Sequence, residues 1–147
     1  MFSLTAEYAL RAAVWLAQSG DIPRTNQEIA EATQVPASYL SKVLQALGRA
    51  GIVRGARGKR GGFELARPAA GLTILEIVNT VDPIHRIETC PLGLESHRAQ
   101  LCPLHRRMDQ AMETIERTLG GATLAEMCEQ PGARPLCETS ASRSAAR

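Results

Sequence analysis

Apolar residues return every three or four positions near the start of the chain, in "LTAEYALRAAVWLAQ". They share one face of a helix: Leu4, Tyr8, Ala12 and Trp15. This spacing predicts an α-helix from Leu4 to Gln18, which Gly20 ends. We expect Tyr8 and Trp15 to lie in the hydrophobic core.

Two short helices joined by a tight turn follow. The first, "TNQEIAEAT", opens with Thr25 and Glu28 at the spacing of a capping box, and Pro36 fits the first turn of the second, which Gly51 ends. The second has an apolar face, Leu40, Val43, Leu44 and Leu47, and a polar, basic face, Ser38, Ser41, Lys42, Gln45 and Arg49. The pattern is typical of a helix-turn-helix, whose second helix enters the major groove of DNA.

Two short β-like segments, "IVR" and "FEL", then flank "GARGKRGG". The pattern predicts a hairpin beside the second helix, which is the wing of a winged helix. Its glycines let the backbone approach a partner closely, and Arg57, Lys59 and Arg60 can meet phosphates or the minor groove. A hairpin that is merely mobile would account for the glycines and not for the cations.

A further short helix, "TILEIVNTV", closes this unit near Asp82. Thr73 and Glu76 have the spacing of a second capping box. The side of this helix that we expect to be buried consists of Leu75, Ile77, Val78 and Val81. Residues 1–82 therefore form a predicted winged helix-turn-helix domain, mainly α with a small β-hairpin.

The pattern changes after residue 82. Residues 83–102 form a polar loop with Cys90, His97 and Cys102, and Pro103 starts a helix to about Leu119. One apolar face runs along this helix: Leu104, Met108, Ala111, Met112, Ile115 and Leu119. Because the helix lies outside the compact domain, this face predicts a homodimer; packing on its own domain is the alternative. "TLAEM" completes the segment 103–127, and residues 128–147 have the composition of a disordered tail.

Composition adds a compartment and excludes a membrane protein. The chain has 147 residues, and none of its apolar runs approaches the roughly 18 residues that span a bilayer. Glu7 and Arg11 interrupt the first apolar segment, so it is not a signal peptide. We expect a cytoplasmic protein, in which four cysteines indicate thiol, metal or redox chemistry rather than structural disulfides.

Charge is concentrated in one part of the chain. Residues 36–67 hold seven Lys and Arg against Glu64 alone, although the net charge of the whole chain is only +2. Such a local excess indicates a surface that faces a polyanion, or else a solvated basic face. We find no nucleophile–base–acid set and no phosphate-binding loop, so the sequence does not predict an enzyme. A winged helix that binds an acidic protein partner is a more remote alternative.

Several segments, in order and spacing, carry a resemblance to a known family. They are "TAEYALRA", "VPASYLSKVLQALGRAGIV", "RGKRGGFELARP", "TILEIV" and "CPLGLESHRAQLCPLH". The chain resembles the bacterial winged-helix regulators that include the iron–sulfur cluster regulator IscR and the nitric-oxide-sensing repressor NsrR. The resemblance runs from residue 1 to about Met127.

The resemblance implies a homodimeric regulator, usually a repressor, that binds a near-palindromic site on double-stranded DNA. The residues that would face the major groove are Ser38, Tyr39, Ser41 and Lys42. Arg57 and the glycines after it, including Gly61, would form the minor-groove wing. The basic residues expected to contact phosphates or the minor groove are Lys42, Arg54, Arg57, Lys59 and Arg60.

The cysteine loop departs from the family pattern. Sensing members have three cysteines here, whereas this chain has Cys90 and Cys102, with His97 near the middle position. The resemblance offers His105 or Glu7 as a further ligand. Two thiolates are too few for a comfortable 4Fe–4S cluster, but they suit a 2Fe–2S cluster with nitrogen or oxygen ligands, or a tetrahedral zinc ion. A thiol pair that oxidises to a disulfide, or the loss of any cofactor, are the other readings.

These observations predict a regulator that senses redox state, nitric oxide or iron–sulfur status through its cysteine loop. A cluster-free regulator of the same family, responding to a metabolite or to thiol oxidation, is the alternative.

Overall fold

The computed structural model describes residues 2–58 and 61–129. The elements run in the order α1 (Leu4–Gln18), α2 (Asn26–Thr33), α3 (Ala37–Arg49), β1 (Val53–Ala56), β2 (Gly62–Leu65), α4 (Ile74–Val81), α5 (Pro103–Gly120) and α6 (Leu124–Glu129), with short 3₁₀ turns at Ala69–Gly71 and Glu95–His97. The helix-rich fold with one antiparallel hairpin is the predicted winged helix-turn-helix.

Helix α1 lies at the centre of the domain and contacts α2, α3, α4 and α6. Its bounds are those predicted, but only Ala12 of the predicted apolar face is fully buried. Leu4 is 61% exposed, and Tyr8 and Trp15 are only partly buried. The buried face consists of Ala6, Ala9, Ala12, Ala13, Val14 and Leu16. Small alanine side chains allow the surrounding helices to approach the α1 backbone closely, which a pattern based on large apolar residues does not reveal.

Helices α2 and α3 form the predicted helix-turn-helix. The Thr25 side chain accepts from the Glu28 backbone N–H, and the Glu28 carboxylate accepts from the Thr25 N–H, so the capping box is complete. Gln34 makes the turn in the left-handed region, with φ of 57°. The predicted apolar face of α3 is buried, and Pro36 precedes the helix as its N-cap rather than lying in its first turn. Gly51 follows α3 with φ of +71°, as expected.

Strands β1 and β2 pair in antiparallel register, with Arg54 opposite Glu64 and Ala56 opposite Gly62. A third extended residue, which the sequence pattern did not predict, joins this hairpin. Arg24 donates its backbone N–H to Phe63 O at 2.9 Å and accepts from Phe63 N at 2.6 Å. The hairpin is thereby attached to the segment between α1 and α2.

Helix α4 has half of its predicted capping box. Thr73 accepts a hydrogen bond from the Glu76 backbone N–H. The Glu76 carboxylate accepts its hydrogen bond from Arg67 rather than from the Thr73 backbone N–H. Ile74, Ile77 and Val78 are buried, so Ile74 replaces the predicted Leu75 in the core. Leu75 instead packs near Gly120 at the end of α5.

Helices α5 and α6 complete the described chain. No residue of α5 is buried. Helix α6 has a complete capping box between Thr123 and Glu126, and Leu124 joins the core. It continues to Glu129, so Cys128 belongs to a helix and not to the predicted tail; residues 130–147 lie outside the described residues. Within the described ranges, none of the helices has both the length and the apolar character to cross a membrane.

Candidate nucleic-acid interface and metal site

The outer face of α3 is a polar and basic surface open to solvent. Leu40, Val43, Leu44 and Leu47 fix the helix on the domain. The residues opposite to them are all exposed: Ser38, Lys42, Gln45 and Arg49. At 3.6 residues per turn these four positions follow one line along the helix, which suits insertion into a groove. Gln45 and Arg49 therefore share the surface of the predicted Ser38 and Lys42.

Two other predicted contacts, Tyr39 and Ser41, lie on the flanks of α3 and are occupied within the domain. The Tyr39 hydroxyl hydrogen-bonds the Thr5 hydroxyl at 2.8 Å, and its ring meets the Tyr8 ring edge-to-face at 5.5 Å between centroids. Ser41 accepts from the Asn26 side-chain amide at 2.8 Å. These side chains remain exposed, but their contacts hold α3 against α1 and α2.

The strands of the wing pack partly on the domain, and an ion pair joins them. Arg54 Nε lies 2.7 Å from Glu64 Oε1 across the two strands, and the Arg54 side chain is 64% exposed. Arg57 is exposed beyond the end of β1. The Gly61 N–H donates to Gly58 O at 3.0 Å and tightens the turn. Lys59 and Arg60 lie outside the described residues.

Arg24 is a structural residue of this surface that sequence reasoning missed. Its guanidinium lies over the Trp15 ring, 5.4 Å from the centroid, while its backbone pairs with Phe63. Arg24 thus connects α1, through its side chain, to the wing, through its backbone. The position of Arg24 directly before the capping box at Thr25 was the signal that could have indicated an extended, ordered residue.

Cys90, Cys102 and His105 come together at the start of α5. The donor atoms of these three residues all lie within 4.8 Å of one another. His105 Nδ1 is 3.2 Å from Cys102 Sγ and 3.5 Å from Cys90 Sγ, and His97 Nδ1 is 3.2 Å from Cys90 Sγ. The loop thus gathers two thiols and two imidazoles around Cys90, although they are up to fifteen residues apart.

Glu7, the remaining candidate ligand, lies elsewhere in the chain that the structure describes. Its carboxylate accepts from Arg11 at 2.9–3.0 Å on the surface of α1. It is not in the group formed by Cys90, Cys102 and His105. The imidazole of His97 is a further donor that contacts this group through Cys90.

The surroundings of the cysteines affect them differently. The pKa of the Cys102 thiol is lowered, above all by the backbone N–H of His105 in the first turn of α5 and also by the Cys90 side chain. Burial raises the pKa of the Cys128 thiol, which lies 3.9 Å from the Val14 carbonyl oxygen. Cys102 is thus suited to act as a thiolate ligand or nucleophile, and Cys128 is an inert packing residue. Cys137 lies outside the described residues.

The donor set fits a metal group that tolerates nitrogen ligands. Cys90, Cys102 and His105 form the group, and His97 contacts Cys90 from outside it. These sulfur and imidazole donors are the ligand types of a tetrahedral zinc site, or of a 2Fe–2S cluster in which imidazole replaces thiolate on one iron. A 4Fe–4S cluster held by cysteines would need more thiolates than converge here. All four donors come from one loop and the helix that follows it.

Comparison with known proteins identifies relatives over most of the chain. The model of the Rrf2 family, described as iron-dependent transcriptional regulator, matches residues 2–130. A protein of Aquifex aeolicus, named as an HTH-type transcriptional regulator, is 29% identical over 130 residues, which cover 86% of this chain and 90% of that protein.

Solved structures share the fold. CymR of B. subtilis, described as the global cysteine regulator, aligns with a TM-score of 0.73 and 24% identity over 87% of this chain and 95% of its own. IscR of T. potens aligns with a TM-score of 0.72 and 26% identity over 86% and 85%. The oxidized form of Staphylococcus aureus CymR aligns with a TM-score of 0.71 and 23% identity over 90% and 99%.

Proposed function

The chain belongs to the Rrf2 family of DNA-binding transcriptional regulators, which are not enzymes, and on this premise we propose a homodimeric repressor controlled by its cysteine–histidine loop. The signal is redox state, nitric oxide or iron–sulfur status. The observation that carries the proposal is the convergence of Cys90, Cys102 and His105 at the first turn of α5. The sensing groups therefore lie at the start of the helix that we assign to the dimer.

DNA contact is assigned to α3 and the wing. Ser38, Lys42 and Arg49 would approach base edges and phosphates in the major groove, and Arg57 would reach the adjacent minor groove. Gly61 belongs to the same hairpin, and Lys59 and Arg60, which lie outside the described residues, are assigned to DNA contact from the sequence alone. Two such surfaces about 34–36 Å apart would match a near-palindromic operator.

Dimerisation is assigned to the apolar face of α5. Leu104 is 64% exposed and Met108 43% exposed, and Ala111 is exposed as well, in a helix without a buried residue. Leu119, at the far end of this face, packs on the core of its own domain. The exposed part of the face, at the start of the helix, is unfavourable in water unless it packs on a partner. A second copy of the chain would cover it with the same face.

Cys90, Cys102, His105 and His97 would hold the metal group, and the 2Fe–2S cluster is the form that this donor set and the family favour. Such a cluster supplies one-electron chemistry and reactivity towards nitric oxide and oxygen. The chain contributes the coupling: while Cys90 is held at the start of α5, residues 90–102 are closed into a loop against that helix. Release of Cys90 would free this loop and alter the setting of the two DNA-binding domains.

A thiol switch is a second candidate, favoured by the proximity of Cys90 and Cys102 and by the lowered pKa of Cys102. A disulfide or peroxide oxidant would accept two electrons from the two thiols, which lose their protons as the sulfur–sulfur bond forms. This reaction would fix the loop closed without metal.

Iron, sulfide and zinc analysis of protein purified without oxygen, with its visible spectrum, tests the proposal. We expect a coloured wild-type protein that contains iron and sulfide. Cys90→Ala and Cys102→Ala should lose the colour, the iron and the sulfide. His85→Ala, an exposed residue of the same segment, is the control and should keep the colour. A wild-type protein without iron and sulfide would leave the thiol switch or zinc in place of the cluster.

A further inference from the structure

The segment before Cys90 is fastened to α5 by a bidentate ion pair. Arg86 Nε and Nη2 lie 2.7 Å from the two carboxylate oxygens of Asp109. The same carboxylate accepts the backbone N–H of Ile87 at 2.9 Å. Asp109 therefore binds both a side chain and the backbone of the loop, with the parallel geometry that gives Arg–carboxylate pairs their directionality.

Further acidic residues of α5 support Arg86. Its guanidinium lies 3.4 Å from Glu116 and 3.7 Å from Glu113. The Asp109 side chain is only 18% exposed, whereas the other ion pair of this loop, Arg98 with Glu95, is 77% and 80% exposed. The Arg86 pair is thus partly shielded and networked, so it holds its geometry better than an ordinary surface pair.

The cysteine–histidine site lies one helical turn of α5 away from the Arg86–Asp109 pair. Asp109 follows His105 by four residues, about one turn along α5, and Cys90 follows Arg86 by four residues. The segment from Arg86 to Cys90 therefore runs antiparallel to the first turns of α5. It is held at Arg86 by the carboxylate and meets Cys102 and His105 at Cys90.

We propose that Arg86 and Asp109 are the positioning residues of the cysteine–histidine site, because their pair places Cys90 against Cys102 and His105 before any ligand binds. This inference rests on the proposed function, in which these residues bind metal or form a disulfide. Cys90 lies in the loop that runs from the end of α4 to the start of α5, and without the pair this loop would be less restrained. Each binding event would then have to close that loop.

Binding of Co²⁺ and Zn²⁺ to the purified full-length chain tests the proposal. We expect Arg86→Gln and Asp109→Asn to weaken metal affinity by about 10- to 100-fold, the usual cost of losing a group that orients a ligand. Arg86→Lys keeps the charge without the bidentate geometry and should fall between these variants and the wild type. Arg98→Gln removes a cation from the same loop and should leave the affinity unchanged.

A metal-free measurement separates this proposal from the proposed function. In a Cys128→Ser, Cys137→Ser background, glutathione disulfide oxidises Cys90 and Cys102 to a disulfide and is reduced to two glutathione molecules. We expect Arg86→Gln to slow ring closure by roughly tenfold, since the effective concentration of Cys90 at Cys102 falls. Arg98→Gln should close at the wild-type rate.

The outcomes are distinguishable. Slower ring closure in a protein that binds no metal would support the positioning role and contradict the metal site. Equal metal affinity and equal closure rates in Arg86→Gln and the wild type would overturn the positioning role, and so would a loss of thermal stability that leaves both quantities unchanged. A wild type that neither binds metal nor closes the disulfide would overturn both proposals.

Discussion

Residues on one helix divide between contact and support. On α3, Lys42 and Arg49 lie on the open face, whereas Tyr39 is bonded to Thr5 and Tyr8, and Ser41 to Asn26. The family resemblance had grouped Ser38, Tyr39, Ser41 and Lys42 as one contact surface. Substitutions of the residues on the open face should therefore affect DNA binding, whereas substitutions of Tyr39 and Ser41 should affect how α3 is held in the domain.

We predict that Lys42→Ala weakens operator binding and lowers its salt dependence. Each phosphate contact contributes about 0.9 to the slope of log affinity against log salt concentration, so the slope should fall by about one. Fluorescence anisotropy over a salt series measures it. Tyr39→Phe removes only the hydroxyl bond to Thr5 and should keep the slope; an unchanged slope in Lys42→Ala would remove this residue from the interface.

The Arg86–Asp109 pair makes a pH-dependent contribution to stability. Asp109 has its pKa lowered from 3.8 to about 2, by the Arg86 hydrogen bonds first and then by the Ile87 N–H. A lowered pKa stabilises the fold at pH above about 4, and this contribution is lost as the pH falls towards 2. Glu113 and Glu116 face the same guanidinium, at 3.7 Å and 3.4 Å.

Urea unfolding at several pH values measures this effect. We predict that the difference in unfolding free energy between the wild type and Asp109→Asn is constant from pH 5 to pH 7 and shrinks between about pH 4 and pH 2. A difference that grows as the pH falls would contradict the assigned sign.

At the scale of elements, the wing depends on a close approach between Gly62 and the segment before α2. A Cβ on Gly62 would come within 2.5 Å of the Arg24 backbone. The pairing of Arg24 with Phe63 requires this approach, and a side chain at Gly62 would push the two segments apart. The glycine is needed for space and not for its conformational freedom.

We predict that Gly62→Ala destabilises the domain by about 1–3 kcal/mol, the usual cost of overpacking, and weakens DNA binding because the wing is displaced. Gly55 lies on the opposite strand, and a Cβ there would meet nothing within 4 Å. Gly55→Ala is therefore the matched control and should change neither quantity. Chemical denaturation and anisotropy give the two values, and equal effects of the two substitutions would refute the account.

Elements with large apolar residues were predictable, and those built by small or distant residues were not. The core face of α3 follows directly from Leu40, Val43, Leu44 and Leu47. The buried face of α1 was missed because alanines carry little hydrophobic signal, although Ala9 and Ala13 are fully buried. In α4, the Glu76 carboxylate binds Arg67 instead of completing the capping box, because Arg67 is brought close to it by the tertiary fold.

The candidate site shows the same limit. The sequence shows Cys90, His97 and Cys102 together in one polar loop, and the family resemblance added His105 as a ligand. The contact of Cys90 with His97, the separate place of Glu7 and the pair of Arg86 with Asp109 depend on how the loop folds onto α5. Arg86 and Asp109 are 23 positions apart in the sequence, and the periodicity of apolar residues carries no information about such pairs.

At the scale of the whole molecule, the proposed dimer depends on the exposed part of the apolar face of α5. Among the described residues, the exposed large apolar side chains include Leu104 and Met108 on this helix and Phe2 and Leu4 at the chain start. A charge placed on the α5 face would have to be buried between two copies. Gln110 lies on the opposite side of α5 and is exposed.

We predict that Met108→Glu raises the dimer dissociation constant by roughly 30-fold or more, equivalent to about 2 kcal/mol at a central interface position. Operator affinity should fall with it, since two half-sites no longer bind together. Gln110→Glu adds the same charge on the other face and should remain dimeric. Sedimentation equilibrium measures the constant, and a wild type that is monomeric at every concentration would refute the assigned role of α5.

The most direct test is the affinity of the chain for duplex DNA from upstream of its own gene, measured by anisotropy without oxygen for the wild type and Cys90→Ala at several salt concentrations. The account predicts specific, strongly salt-dependent binding by the wild type and a clearly different affinity for Cys90→Ala at the same salt slope. Equal affinities would separate the cysteine–histidine site from DNA binding, and an absence of salt-dependent binding in both proteins would contradict the account.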